Sequence, residues 1–513
     1  MKDLYIPDIL ELMNDSVRDY GEKPFIKYVA DEEIVTKSFK DARDDALVAS
    51  RHIRSITTDK KHIAIIGKTT YEFIIYYLGI LASGNVVVPI APETSASETA
   101  DLIKMADVEM VIYDEQFSDR IDEVKSLCPE IIAVINFSGN LENAKVKYSA
   151  TSEYASLSDI EIVKEDMCAI IYTSGTTGVK KGVMLNTFGM IGNILYTEYW
   201  KTFHEGDVTL SVLPMHHTFS FSGDVLYNIR NGVTVCLNGD MRNLVKNLNL
   251  FQPVTMRIVP MIAQSLLQRI QALMAKNPEL TPKEAAQTIY GKKLIQLGSG
   301  AAYLSPKLVE AYEKFGISLR QGYGMTEAGC RVSVLDRGAP IESVGRLLNI
   351  VEGRVVDGEI QINTPSVMMG YYKNPEATAE MFTEDGWLRT GDSGYITEEG
   401  YLFITGRIKN LIILSGGENV SPEAIENKFN DYQPISEIMV YEENNAIVAD
   451  AYPNYEYCTL NGIDDVEKEI KNQIAQVNAT AKASHIISDV RITKEPLPKT
   501  ETGKIVRKKA VIG

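Results

Sequence analysis

The chain has 513 residues, 45% hydrophobic and 24% charged, the balance of a globular protein too long for one core and so built from at least two domains. Its 52 basic against 69 acidic side chains leave a net charge of −17, which excludes broad nucleic-acid binding but permits a local basic site that grips a polyanion. Five scattered cysteines (Cys128, Cys168, Cys236, Cys330, Cys458) show no CxxC or Cys/His spacing, which excludes a disulfide framework and a zinc site.

The opening MKDLYIPDILELMNDS lacks a basic stretch followed by an apolar one, and no apolar run reaches membrane-spanning length, so a cytoplasmic location is expected. Apolar runs at 62–67, 86–90, 110–113 and 131–135 read as buried parallel strands, with helices at 71–81 and 97–105 between them. This alternation predicts doubly wound α/β units. The stretch YEFIIYYLGILASG is apolar on nearly all sides, as expected of a helix buried between sheets.

Residues 168–183, CAIIYTSGTTGVKKGV, form the most informative stretch. The apolar run 168–172 predicts a buried strand. A loop follows, with Gly175, Gly178 and Gly182 interleaved with the hydroxyls of Thr173, Ser174, Thr176 and Thr177, and closed by Lys180 and Lys181. Glycines let backbone N–H groups turn onto an anion, hydroxyls add donors and lysine adds charge, so the stretch predicts a phosphate cradle. It is not a Walker A loop, because GxxxxGK[ST] cannot be laid over it.

Further strands are expected at 208–213, 233–237, 257–259, 294–297 and 317–321, and a helix at 260–274, with Thr281 capping the next. The first of these strands runs into Pro214-Met215-His216-His217-Thr218-Phe219. The histidine pair has no third ligand at a useful spacing, so a metal site is not expected there. Gly298-Ser299-Gly300-Ala301-Ala302 offers small residues after a strand, where a flat ring can approach the backbone. In Gly322-Tyr323-Gly324-Met325-Thr326-Glu327 the sequence offers a purine-stacking face at Tyr323, a hydroxyl at Thr326 and one hard carboxylate at Glu327, suited to a Mg²⁺ that bridges substrate phosphates. Asp392 and Arg407 can accept from and donate to ribose hydroxyls. Rising charge density from residue 398 onward and the strand at 411–414 place a domain boundary at Lys409, giving domains 1–408 and 409–513.

Three segments together resemble the adenylate-forming enzymes, in particular the AMP-forming acyl-CoA synthetases: YTSGTTGVKKGV, YGMTE and the terminal PLPKTETGKIVR. The resemblance runs from about residue 25 to 509 in the family's motif order. It implies an α/β fold with a large N-terminal domain of doubly wound βα subdomains plus a small β-barrel-like piece, followed by a small mobile α+β C-terminal domain hinged near Lys409. It also implies that ATP is held by Thr173, Ser174, Gly175, Thr176, Thr177, Gly178 and Lys181, with adenine against Gly300, Ala301, Ala302 and Tyr323 and ribose on Asp392 and Arg407. The implied catalytic groups are Lys504, Thr326, Glu327 (with Mg²⁺) and His217. His217, Phe219 and Phe221 would line an acyl pocket, and Gly416 and Gly417 the path of the thiol.

The activity implied is ATP-dependent ligation of a carboxylic acid to coenzyme A through acyl-AMP, with AMP and pyrophosphate released. PMHHTFSF and the lack of charge among the pocket candidates point to a medium- or long-chain fatty acid, with an aryl acid open. Lys180 stands where the family has proline, Asn410 where an acid is common, and 438–453 is shorter than usual, so a phosphopantetheinyl carrier protein remains an alternative acceptor. A non-catalytic nucleotide-binding protein and a luciferase-like oxygenase are readings from other classes. Neither a monomer nor a homodimer is favoured.

Overall fold

The computed structural model describes residues 5–158, 160–174, 180–192, 194, 203–334, 338–414, 418–499 and 505–507. Two seven-stranded sheets dominate the large domain. The first runs in the order Gly370–Tyr371, Lys180–Asn186, Met167–Ser174, Val86–Ile90, His62–Ile66, Val108–Tyr113, Ala133–Asn136. Its last five strands are parallel, and its first two join by antiparallel pairing. The second runs Ser318–Gln321, Gln296–Ser299, Thr255–Ile258, Val208–Ser211, Thr234–Leu237, Pro24–Ala30, Glu33–Ser38. Here only the last pair is antiparallel. The central strands His62–Ile66, Val86–Ile90 and Thr234–Leu237 are buried along nearly their whole length, as parallel strands covered on both faces require. The expected strands and helices of the large domain therefore form.

Helix Tyr71–Ala82 is buried along its whole length, as its unbroken apolar sequence requires. Thr70 caps it, its Oγ1 accepting from the Phe73 N–H at 3.2 Å. Gly79 lets it close on helix Phe39–Arg54: a Cβ there would lie 2.6 Å from the Ala49 Cβ and 3.1 Å from the Ser50 nitrogen. Among the described residues, no helix is long and apolar enough to cross a membrane.

A four-stranded antiparallel sheet, Glu352–Val356, Glu359–Asn363, Leu388–Ile396 and Leu402–Arg407, is the small β piece of the large domain. Beyond it, strands Ile435–Glu443, Ala446–Pro453 and Ile487–Ile492 with helix Val466–Ala479 enclose a separate core, giving the expected α+β unit. Its shortened hairpin turns on Asn444 and Asn445, at φ 51° and 61°, the left-handed pair that a two-residue hairpin demands.

One local expectation is corrected. Lys180, Lys181 and Gly182 do not belong to a loop but open the return strand Lys180–Asn186, where Gly182 faces Tyr172 and a Cβ would lie 2.8 Å from Ile170. Glycine is there for close packing across the hairpin, not to wrap an anion.

Gly79→Ala should destabilise the fold by about 1–3 kcal/mol through overpacking between the two helices. Thermal unfolding measures it; a variant as stable as the parent would mean that the helices separate freely.

Candidate active site

The chain brings the expected nucleotide residues to the edges where its sheets meet. Thr173 pairs with Lys181 and Ser174 with Lys180 across the hairpin. Gly175, Thr176, Thr177 and Gly178 lie outside the described residues, as do Gly416, Gly417 and Lys504. Lys180, the residue in place of proline, forms an ion pair with Glu98 at the start of helix Ala96–Met105.

Asp392 and Arg407 are cross-strand partners in the small sheet. Asp392 is buried, and its Oδ1 accepts from the Arg407 Nε at 2.8 Å. The Tyr323 hydroxyl donates to its Oδ2. Tyr323 thus ties the loop after strand Ser318–Gln321 to the small sheet, and burial together with the Asp392 charge pushes its phenol well above its ordinary pKa. The Asp392 N–H donates to Thr390 Oγ1 at 3.1 Å, and that hydroxyl donates to the Ile360 carbonyl at 2.7 Å.

Thr326 and Glu327 open a single 3₁₀ turn, Thr326–Ala328. The Thr326 hydroxyl lies 3.4 Å from that of Thr218. Glu327 Oε1 accepts from the Tyr371 hydroxyl at 2.8 Å, and the Lys181 ammonium sits 4.8 Å from the centre of the Tyr371 ring. Tyr371 therefore links the hairpin lysine to the carboxylate, a role the sequence did not reveal because it lies 44 residues beyond Glu327. Glu327 keeps its second oxygen free of hydrogen bonds among the described residues, which fits a single-carboxylate Mg²⁺ ligand.

Phe219 packs on Gly300, where a Cβ would lie 3.0 Å from the ring. Ala301 is left-handed at φ 67° and exposed beside Ala302, whose carbonyl accepts from Gln321 Nε2 at 2.7 Å. Phe221 is a correction: it is fully buried and stacks on Tyr77 at 3.6 Å between ring centres, so it belongs to the core and cannot line a space open to substrate. His217 is exposed, with burial of its surroundings lowering its pKa, and its ring lies 4.2 Å from that of His216. Gly223, one turn beyond Phe219, lies against the guanidinium groups of Arg257 and Arg331. Arg257 pairs with Asp224 at 2.9 Å, both buried. Three segments far apart in sequence supply this cluster, so no local motif announces it.

Lys409 is exposed in the short turn Ile408–Asn410, directly after Arg407. Asn410 donates to Glu423 Oε1 at 2.5 Å, and Arg507 pairs with Glu426 at 2.5 Å and Glu423 at 3.2 Å. Lys499 pairs with Glu437 at 2.6 Å and bridges to Ile505. Lys499 and Arg507, the described basic residues on either side of 500–504, are therefore both paired with carboxylates. Asp431 docks the small domain, accepting from the Ser305 hydroxyl at 2.6 Å and facing Lys307 at 3.5 Å.

A buried carboxylate–arginine pair in the small antiparallel sheet, with a hydroxyl–carboxylate turn and a small-residue segment that follow strands of the second large sheet, fits an α/β enzyme of the adenylate-forming class. The chain belongs to the AMP-binding enzyme family: the family model matches residues 13–372, and the model of the AMP-binding enzyme C-terminal domain matches 409–512. Among its relatives, 4-coumarate–CoA ligase 1 of Arabidopsis thaliana is 28% identical, over 99% of this chain and 93% of that one. The long-chain-fatty-acid–CoA ligase FadD15 of Mycobacterium bovis is 29% identical, over 74% of this chain and 70% of that one. The fold is shared with ATP-bound MatB from Rhodopseudomonas palustris, at a TM-score of 0.81 and 23% identity over 98% of this chain and 97% of that one.

Asp392→Ala should weaken AMP binding on the order of 10–100-fold, because it removes the acceptor for ribose and leaves Arg407 and Tyr323 without their partner. Calorimetric titration measures this, and undiminished affinity would separate the pair from the nucleotide. Burial, with a smaller push from His217, holds the His216 imidazole down to about 3 against 6.5 when unfolded. The unfolded chain then takes up a proton that the native one refuses. This contribution to stability is full above pH 6.5 and is lost as pH falls towards 3, by at most about 1.4 kcal/mol per pH unit. His216→Gln should shrink the loss of melting temperature between about pH 7 and about pH 5; an unchanged loss would count against it.

Proposed function

We propose that this protein is an ATP-dependent acid–thiol ligase that activates a carboxylic acid as acyl-AMP and passes the acyl group to coenzyme A. The supporting observation is one seam: Asp392, Arg407 and Tyr323 for the nucleoside, Thr326 and Glu327 beside them, and Phe219 on Gly300 next to Thr218. The names of relatives aligned along nearly the whole chain, 4-coumarate–CoA ligases among them, agree with this reading.

In the first step an acid oxygen attacks the α-phosphorus and the bond to pyrophosphate breaks. Charge builds on the phosphoryl oxygens, and positioned donors lower that barrier. Thr326 supplies a hydroxyl, Lys181 a nearby cation, and Lys504 the ammonium carried in by the terminal loop. Bound Mg²⁺, held by Glu327, would add neutralising charge. In the second step the thiol sulfur attacks the acyl carbon, its proton leaves, and the bond to AMP breaks. His217, kept neutral by its surroundings, borders the acid without adding charge. Rotation about Lys409 would exchange Lys504 for the small-domain face carrying Gly416 and Gly417. The fatty-acid reading rests on PMHHTFSF; against it stand Arg257 and Arg331, which would meet an aliphatic tail with charge.

ATP–pyrophosphate exchange should depend on added acid, which a non-catalytic nucleotide-binding protein would not show. Lys504→Ala should lower exchange on the order of 10²–10³-fold, while thioester formation from supplied acyl-AMP survives. Equal loss of both half-reactions would rule out the exchanging-domain scheme. Thioester yield with free coenzyme A against a phosphopantetheinyl carrier protein identifies the acceptor.

A further inference from the structure

Two segments lie side by side next to the acid site. One is the helical stretch from Thr218 to Leu226, the other the chain from Thr326 to Arg331. At one end the Thr218 and Thr326 hydroxyls are 3.4 Å apart. At the other, a Cβ on Gly223 would lie 3.0 Å from the Arg331 Nη2 and 2.6 Å from Arg257 Cδ. The five steps from Thr218 to Gly223, at ~1.5 Å rise each, separate the two ends by ~7.5 Å, the length of a short carbon chain. Gly324 fixes the second segment, since a Cβ there would collide with the Cys330 carbonyl, so the Tyr-Gly-Met-Thr turn and Arg331 are one packed unit.

The two arginines differ in how they are satisfied. Arg257 is neutralised, its Nη1 donating to Asp224 Oδ1 at 2.9 Å. Among the described residues Arg331 has no hydrogen-bond acceptor and no ion-pair partner; its guanidinium lies 5.5 Å from the Tyr227 ring centre, with Arg257 5.2 Å from the same ring. Two guanidinium groups thus share one carboxylate. Burial, reinforced by the Arg257 charge, pushes Arg331 down to about 10, so it remains a full cation at neutral pH. Yet part of the residue stays accessible. An aliphatic tail would leave this cation without an acceptor, at the cost of a buried unpaired charge.

We infer that the acid activated by this enzyme carries a second anionic group at its far end, a dicarboxylate, and that Arg331 is the residue that reads it. Gly223 has no side chain, so both arginines pack directly against its backbone. A carboxylate there forms two charge-assisted bonds with the planar fork and restores a two-to-two balance of charge. Arg331 is thus a specificity-determining residue, and the reacting carboxylate sits at the Thr326 end. This inference rests on the ligase reading.

The test is acid-dependent ATP–pyrophosphate exchange with the full-length protein on two matched series, monocarboxylates and dicarboxylates from about four to about eight carbons. The expected result is a dicarboxylate preference in kcat/KM on the order of 10–100-fold at the best length. Arg331→Met should abolish the preference while sparing exchange with the matched monocarboxylate, and Arg331→Lys should retain part of it. Equal or better use of monocarboxylates by the unaltered protein overturns the inference and leaves the ligase standing, whether or not the variants fold. Exchange with neither series but with an aryl or longer-chain monocarboxylate overturns this inference alone; exchange with none of these acids overturns the ligase reading and this one with it.

Discussion

The buried carboxylate of Asp392 fixes the geometry of the nucleotide site. A carboxylate taken out of water must be paired and hydrogen-bonded, and Asp392 meets this with partners from two directions. Arg407 reaches it across the small sheet, and Tyr323 reaches it from the loop after a strand of the second large sheet. Its backbone is set by the Thr390 hydroxyl, itself bonded to the Ile360 carbonyl. The register that places Asp392 opposite Arg407 is tight, for a Cβ on Gly394 would collide with the Phe403 carbonyl. Side chains alternate faces along a strand, so a slip of one residue would turn either partner away from the other. Asp392, Arg407, Tyr323 and the small sheet thus form one mechanical unit.

That unit ends where motion would begin. Arg407 is pinned, and two residues later Lys409 is exposed. The small domain has its own core, and Asp431 contacts the large domain through a hydroxyl and a lysine. Polar contacts of this kind exchange for water at little net cost, unlike an apolar interface, so they suit a joint that must be remade. Within the small domain the opposite holds. Arg507 pairs with Glu423 and Glu426, and Lys499 with Glu437, so both residues are held to the small domain by ion pairs.

Much of this architecture was legible in the sequence because its signals are local. Apolar runs gave the parallel strands of both sheets, Thr281 forms a full capping box with Glu284, and two adjacent asparagines make the short hairpin of the small domain. What stayed hidden depends on segments that meet only in the fold. Gly182 looks like loop glycine until Ile170 is seen beneath it, and Phe221 looks like pocket lining until Tyr77 is found stacked on it. The opening hairpin Pro24–Ala30 with Glu33–Ser38 escaped notice because one face of Glu33–Ser38 is polar and exposed. Tyr371 carries no signature of its own, and only pairing with Glu327 gives it a role.

The cluster of Asp224, Arg257 and Arg331 presents the same difficulty with an energetic argument attached. A purely structural use of charge would need only the one buried pair that Asp224 and Arg257 form, and even there the second Asp224 oxygen has no hydrogen-bond partner. Burial pushes the Asp224 carboxyl upward while Arg257 opposes it, so even that pair is held against a desolvation cost. A second guanidinium adds repulsion to this cost, and stacking on Tyr227 compensates only part of it. Hydrophobic residues at position 331 would be more stable against the same neighbours. A local rule broken beside the Thr326 turn is where function takes precedence over stability. The charge missing from the protein is then the charge that its ligand brings.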